Sequence, residues 1–82
     1  MKQYILNGQN MSTRENAYDE IARVLELPAH FGRNLDALWD VASCMEGEII
    51  LANGVTGYGE TILSLLQEAA DENTRLALTI QV

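Results

Sequence analysis

The sequence of 82 residues contains little of the chemistry that many enzymes and metalloproteins require. Its single cysteine, Cys44, excludes an internal disulfide and a zinc site built from a cysteine cluster, and it is typical of a reducing cellular interior. His30 is the one imidazole that could act as the base of a hydrolytic triad, and no feature marks a serine or Cys44 as an activated nucleophile. We therefore predict that the protein is not an enzyme and uses no metal or other cofactor.

Long apolar segments and positive charges are also scarce. No apolar run approaches 18 residues, and residues 1–6 are too short and too polar for a signal peptide, so we expect a cytoplasmic protein without membrane contact. Five basic residues against twelve acidic ones give a formal charge of −7. This balance argues against direct binding to nucleic acid, because phosphate neutralisation needs clustered Lys and Arg. It favours a cationic partner, or it serves only solubility.

The apolar residues recur at spacings that are typical of strands and helices. Short β-prone runs at 4–6, 48–52 and 76–82 predict three strands. Helical spacing of apolar residues predicts one helix after a capping box from Ser12 to Glu15, a second after Asn34, and a third over 61–71. The order β-α-α-β-α-β predicts one α/β domain over residues 1–82, with a small parallel sheet and helices as cover.

Several local features follow from these patterns. The first helix is expected to end before Pro28 and to keep Glu20 on its polar face. The second helix is expected to bury Leu35, Leu38 and Ala42. Asn73 is expected to be a left-handed C-cap of the third helix. The glycine-rich segment 53–59 does not match a phosphate-binding loop, because no Lys follows it.

The segment 30–40 is the most distinctive part of the chain. It holds the only histidine, phenylalanine and tryptophan of the sequence, His30, Phe31 and Trp39. Asp36 and Asp40 are four residues apart in the predicted second helix, and two like charges so placed cost an isolated helix about 0.2–0.5 kcal/mol. Aromatic side chains beside an acidic helix face are typical of a protein–protein interface, so we interpret the carboxylates as contacts to a partner.

Other interpretations of these residues stay open at this point. Trp39 could belong to the core, Phe31 could pack at the helix entry, and the acidic face could be merely solvated. A metal site from His30, Asp36 and Asp40 with Glu68 is conceivable, although no spacing marks a complete ligand set. Paired carboxylates for glycoside chemistry would need one acid in an apolar pocket, which an outward helix edge does not favour.

A specific resemblance appears in the same segment. The residues that carry it are Pro28-x-x-Phe31-Gly32-x-Asn34-Leu35-Asp36-Ala37-Leu38-Trp39-Asp40. This run resembles the signature of the barstar family, intracellular protein inhibitors of the bacterial ribonuclease barnase. The likeness extends more loosely over the whole chain and implies a fold with a three-stranded parallel sheet covered by helices.

The resemblance implies roles for individual positions. Asp40 is similar to the acid that enters the substrate-phosphate pocket of the ribonuclease, and Asp36 to a second acid that contacts its basic groups. Trp39 and Gly32 match interface positions around these two acids. Phe31 and Asn34 belong to the same run and are expected to be part of the partner-binding surface. Glu68 matches an acid that pairs with a basic residue at the rim.

Two positions of the segment 30–40 depart from the family pattern. His30 stands where barstar has an interface Tyr, and Arg33 places a positive charge where barstar carries Glu. The resemblance as a whole predicts a monomeric inhibitor that forms a 1:1 complex with a basic ribonuclease or a ribonuclease-type toxin domain. The alternative is a binding module on the same fold with a different basic partner.

Overall fold

The computed structural model describes residues 2–81 as a sheet with one helical layer. The strands are β1 (Gln3–Asn7), β2 (Gly47–Ala52) and β3 (Leu76–Ile80). The helices are α1 (Arg14–Val24), α2 (Leu35–Ala42) and α3 (Tyr58–Glu72), and a short 3-10 helix (Gly8–Asn10) follows β1. The predicted order β-α-α-β-α-β is confirmed. Residue 82, the end of the predicted last strand, lies outside the described residues.

The sheet has the strand order β1-β2-β3, and both strand pairs are parallel. Tyr4 pairs with Ile49, and Ile49 pairs with Leu78, so these side chains lie on one face. That face packs against the helices, and Ile49 is fully buried. On the opposite face Ile5 is 59% exposed. The molecule measures 31 × 28 × 19 Å, as expected for one sheet and one helical layer.

The first helix differs from its prediction in two respects. The capping box at Ser12 and Glu15 is wrong, because Thr13 is the N-cap and its hydroxyl accepts the N–H of Asn16 at 3.2 Å. The carbonyl of Ser12 instead accepts the N–H of Tyr58 at 2.9 Å and ties this segment to the start of α3. Glu20, expected on the polar face, is only 4% exposed because its carboxylate accepts the backbone N–H of Asn7.

The second helix also buries less than its spacing predicts. Leu38 and Ala42 are buried, but Leu35 is 37% exposed. Leu35 directly follows the N-cap Asn34 and lines a shallow surface notch with Arg14 and Tyr58, so it lies beside the core rather than in it. The burial prediction for Leu35 is therefore wrong.

The third helix begins at Tyr58, three residues before the predicted start, and residues 53–57 contain no helical turn. Gly57 has φ +57°, and a Cβ there would lie 2.3 Å from the carbonyl oxygen of Ser12, so this position requires glycine.

The end of α3 also differs from its prediction. Asn73 is not a left-handed cap, because its φ is −110°. Its buried side-chain amide donates to the carbonyl oxygens of Ala42 at 3.0 Å and Met45 at 2.8 Å, and so joins the end of α2 to the end of α3. No helix within residues 2–81 has the length and apolar character needed to cross a membrane.

Candidate partner-binding surface

The candidate surface begins with a tightly organised loop before α2. The N–H of Phe31 donates to the carbonyl of Pro28 at 3.0 Å. Asn34 is the N-cap of α2, as predicted, and its side-chain oxygen accepts the N–H of Ala37 at 2.8 Å. The amide nitrogen of the same side chain donates to the carbonyl of Gly32 at 3.1 Å. One side chain therefore fixes both the start of the helix and the loop that leads into it.

The aromatic residues of the segment differ in how far they reach the core. Phe31 is half-buried, and its ring meets that of the buried Tyr18 edge-on, with ring centres 6.1 Å apart. Trp39 is half-buried and packs against the core from α2. His30 is exposed on the loop. Phe31 and Trp39 thus combine an anchoring contact with remaining exposed surface, whereas His30 is held by no contact of this kind.

Arg33 does not project as an isolated cation. Its guanidinium forms an ion pair with the carboxylate of Asp19 on α1. Its backbone carbonyl accepts a hydrogen bond from the guanidinium of Arg14 at 2.9 Å. The positive charge that departs from the family pattern is therefore paired within the protein.

Asp36 and Asp40 are both exposed on α2, and neither forms an ion pair within residues 2–81. Asp36 lies in the first turn of the helix, where the helix dipole favours a negative charge. Asp40 lies in the last turn, where the dipole disfavours one, and no basic residue of that turn offsets it. Asp40 therefore lacks the favourable interaction with the helix dipole that Asp36 has.

Glu68 comes from a different element. It is exposed on α3, the helix that packs against α2, and it forms no ion pair in the described part of the chain. His30 to Asn34, Asp36, Trp39 and Asp40 thus lie in one continuous segment of the chain, whereas Glu68 lies on α3, which packs against α2.

The alternative of a metal site is not supported. Among residues 2–81 no group of three or more His, Cys, Asp or Glu side chains is arranged to hold a metal ion. His30, Asp36, Asp40 and Glu68 are therefore not brought together as a ligand set. Cys44 is exposed, with its sulfur 3.8 Å from the hydroxyl of Ser43.

Two residues of α1 were missed by sequence reasoning. Arg14 and Asp19 reach the loop across gaps of 19 and 14 residues, and both contact Arg33. The sequence shows them as ordinary polar-face residues of an amphipathic helix. Their partner becomes visible only when the loop is folded against α1.

Known proteins resemble this chain over most or all of its length. The sequence model of the family described as "Barstar (barnase inhibitor)" matches residues 1–82. The chain belongs to the barstar family. A relative from Bacillus subtilis (strain 168), named "Putative ribonuclease inhibitor YrdF", is 32% identical in an alignment of 84 positions that covers 88% of this chain and 89% of the relative.

Membership in the barstar family confirms the resemblance seen in the segment from Pro28 to Asp40. The family fold expected from that resemblance, a three-stranded parallel sheet with helices, is the fold observed. At the level of the family the match supports a role like that of a barnase inhibitor.

Proposed function

We propose that this barstar-family protein is a cytoplasmic inhibitor that covers the active site of a basic ribonuclease or a ribonuclease-type toxin domain. The observation that carries the proposal is the pair of exposed carboxylates, Asp36 and Asp40, on the helix that follows the aromatic loop, neither of which forms an ion pair within residues 2–81. Two unpaired like charges beside the half-buried rings of Phe31 and Trp39 are explained if their counterparts lie on a partner.

The chemistry of ribonuclease active sites suits such a surface. These sites bind the phosphates of RNA with cationic side chains, so Asp36 and Asp40 would occupy positions that substrate phosphates otherwise take. The formal charge of −7 would steer encounter with a basic enzyme and accelerate association. The inhibitor acts by binding and performs no turnover.

The other candidate residues form the surroundings of the two carboxylates. Trp39 and Phe31 offer partly buried aromatic anchors, which are common at the centres of interfaces. Gly32 and Asn34 set the backbone of the loop, and His30 is free to contact the enzyme. Glu68 on α3 would reach the rim of the interface, where a charge pair contributes less because water screens it.

The complex is proposed to contain one inhibitor and one enzyme. A second candidate function is binding to another basic protein on the same surface, which the acidic face of α2 would also permit. Inhibition of ribonuclease activity separates the two candidates, since binding without inhibition would support the second.

The test compares Asp40→Ala with Asp71→Ala. Both residues are exposed and lie in the last turn of a helix, so both variants remove the same charge from a similar local setting. We expect Asp40→Ala to lose about 2–5 kcal/mol of binding free energy to a barnase-like ribonuclease, measured by calorimetry, because it leaves a buried cation of the enzyme unpaired. We expect Asp71→Ala to change the affinity little.

Equal affinities of the two variants for the ribonuclease would contradict the assignment of Asp40 to the binding surface. Raising the salt concentration should weaken binding of the native protein, chiefly through slower association. An affinity that is independent of salt would contradict the electrostatic part of the proposal.

A further inference from the structure

The loop before α2 contains a residue in an unusual backbone conformation. Arg33 has φ +53°, in the left-handed region that residues other than glycine rarely adopt. It directly precedes Asn34, the N-cap that sets the direction of α2. The contacts that hold Arg33 therefore decide how the loop and the acidic helix face are presented together.

One of these contacts fixes the backbone. The guanidinium of Arg14 donates to the carbonyl oxygen of Arg33 at 2.9 Å. It also lies over the ring of Tyr18, 5.4 Å from the ring centre, and that ring meets Phe31 of the loop edge-on. Arg14 is the first residue of α1, where the helix dipole disfavours a positive charge. A cation at this position is explained by its contacts to the loop.

The second contact neutralises the side chain. The carboxylate of Asp19 pairs with the guanidinium of Arg33, and the two side chains are 59% and 43% exposed. A pair this exposed contributes little to folding. Its larger consequence is for charge, because Arg33 lies three residues before Asp36 on a surface that we propose to face a basic protein. An unpaired guanidinium there would repel such a partner.

We propose that Arg14 and Asp19 are positioning residues of the partner-binding surface. Arg14 holds the left-handed backbone of Arg33, and Asp19 cancels the charge of its side chain. The effect of both residues on affinity rests on the proposed function, whereas the effect of Arg14 on loop order does not. The inference assigns to α1, which lies outside the recognition run, a part in the fit to a cationic protein.

A double-mutant cycle tests the role of Asp19. We expect Asp19→Asn to slow association with a barnase-like ribonuclease by about fivefold at low salt, because it releases the charge of Arg33. In an Arg33→Gln background the same change should slow association less than about twofold, since there is no cation left to release. Native and variant proteins would be compared by stopped-flow mixing at several salt concentrations.

The matched control is Glu15→Gln, which removes one exposed carboxylate from the same helix. A slowing by Glu15→Gln as large as that by Asp19→Asn would show a general charge effect and overturn the proposal. An equal effect of Asp19→Asn in the native and Arg33→Gln backgrounds would also overturn it.

Amide hydrogen exchange tests loop order without any partner. We expect Arg14→Gln to accelerate exchange of the Phe31 amide, which donates to the carbonyl of Pro28 in this loop, and Asp71→Asn to leave it unchanged. Unchanged exchange in Arg14→Gln would overturn the positioning role of Arg14 even if the protein binds a ribonuclease. If the native protein binds no ribonuclease, the proposed function fails, while accelerated exchange would still support the positioning of the loop.

Discussion

The hydroxyl oxygens of Tyr18 and Tyr58 lie 2.8 Å apart and join the middle of α1 to the first residue of α3. Tyr18 is fully buried, whereas Tyr58 is half-buried. The ring centres are 5.7 Å apart, and Tyr18 also meets Phe31 of the candidate surface. Burial, followed by the hydrogen bond to Tyr58, raises the pKa of the Tyr18 hydroxyl far above its usual value. This pair thus connects the helical layer to the loop before α2.

Removing the hydroxyl of Tyr58 should lower the unfolding free energy more than removing the hydroxyl of Tyr18. Tyr58→Phe leaves the hydroxyl of Tyr18 buried without a partner, and we expect a loss of about 1–3 kcal/mol of unfolding free energy in urea denaturation. Tyr18→Phe should cost less, because water can reach the half-buried hydroxyl of Tyr58.

The double variant Tyr18→Phe/Tyr58→Phe serves as the control, since it leaves no orphaned hydroxyl. It should be more stable than Tyr58→Phe alone. A double variant whose destabilisation equals the sum of the two single losses would contradict the unsatisfied-hydroxyl explanation.

Asn73 should be another position at which one side chain carries much of the stability. Its side-chain amide nitrogen donates to the carbonyl oxygens of Ala42 and Met45 at the end of α2 and just after it, and its side-chain oxygen accepts the backbone N–H of Arg75 at 3.1 Å. We expect Asn73→Ala to lower the unfolding free energy by about 1–3 kcal/mol, because these groups lose their partner. The adjacent exposed residue provides a control, and Glu72→Ala should change stability by less than about 0.5 kcal/mol. Similar losses in the two variants would contradict this role.

The buried carboxylate of Glu20 predicts a specific pH dependence. Burial alone raises its pKa, but hydrogen bonds from the backbone of Asn7 at 3.0 Å and from Arg23 at 2.6 Å, the charge of Arg23, and a longer contact from Asn10 hold the pKa below its usual value. A lowered folded-state pKa means that the ionised form stabilises the fold above the unfolded-state pKa. This stability is lost as the pH falls through the folded-state pKa.

Urea denaturation between neutral and acidic pH measures this dependence. We expect the native protein to lose stability on acidification and Glu20→Gln to show a shallower loss, since it lacks the titrating group. Glu15→Gln removes an exposed carboxylate from the same helix and should retain the steeper native dependence. A slope for Glu20→Gln equal to that of the native protein would contradict the assignment.

The fold was largely predictable because its signals are local. Alternating or continuous apolar runs marked all three strands, and helical spacing marked all three helices. The errors arise where a distant group decides the outcome. Glu20 is polar, yet it is buried because its carboxylate accepts the N–H of Asn7. Leu35 is apolar, yet it lies beside the core and is 37% exposed. The spacing of apolar residues predicts which face of a helix is buried, but it does not predict which distant groups pack against that face.

In the candidate site, too, local features could be predicted from the sequence and long-range contacts could not. Asn34 could be recognised as a cap, and Asp36 and Asp40 as one exposed helix edge, from spacing alone. The pairing of Arg33 with Asp19 could not be predicted from spacing, because it depends on the left-handed backbone of Arg33 and on the packing of the loop against α1. The positive charge of Arg33, which departs from the family pattern, is paired with the carboxylate of Asp19 on α1.

Asp36 and Asp40 should have opposite effects on folding although they lie on one helix edge. Asp40→Asn removes a charge that the helix dipole disfavours, and we expect the unfolding free energy to rise by about 0.3–1 kcal/mol at low salt. It also relieves the repulsion between the two carboxylates, worth about 0.2–0.5 kcal/mol. Asp36→Asn gains the same relief but loses a favourable interaction with the first turn, so its net effect should be near zero or destabilising.

Urea denaturation of the two variants in low and high salt measures the difference, which added salt should reduce because it screens exposed charges. If Asp40→Asn also weakens ribonuclease binding, the same substitution stabilises the fold and damages the function. That combination is expected of a residue retained for its partner, since natural proteins keep locally unfavourable groups where function needs them. A loss of stability in Asp40→Asn would contradict this argument, because it would give the carboxylate a structural reason to be there.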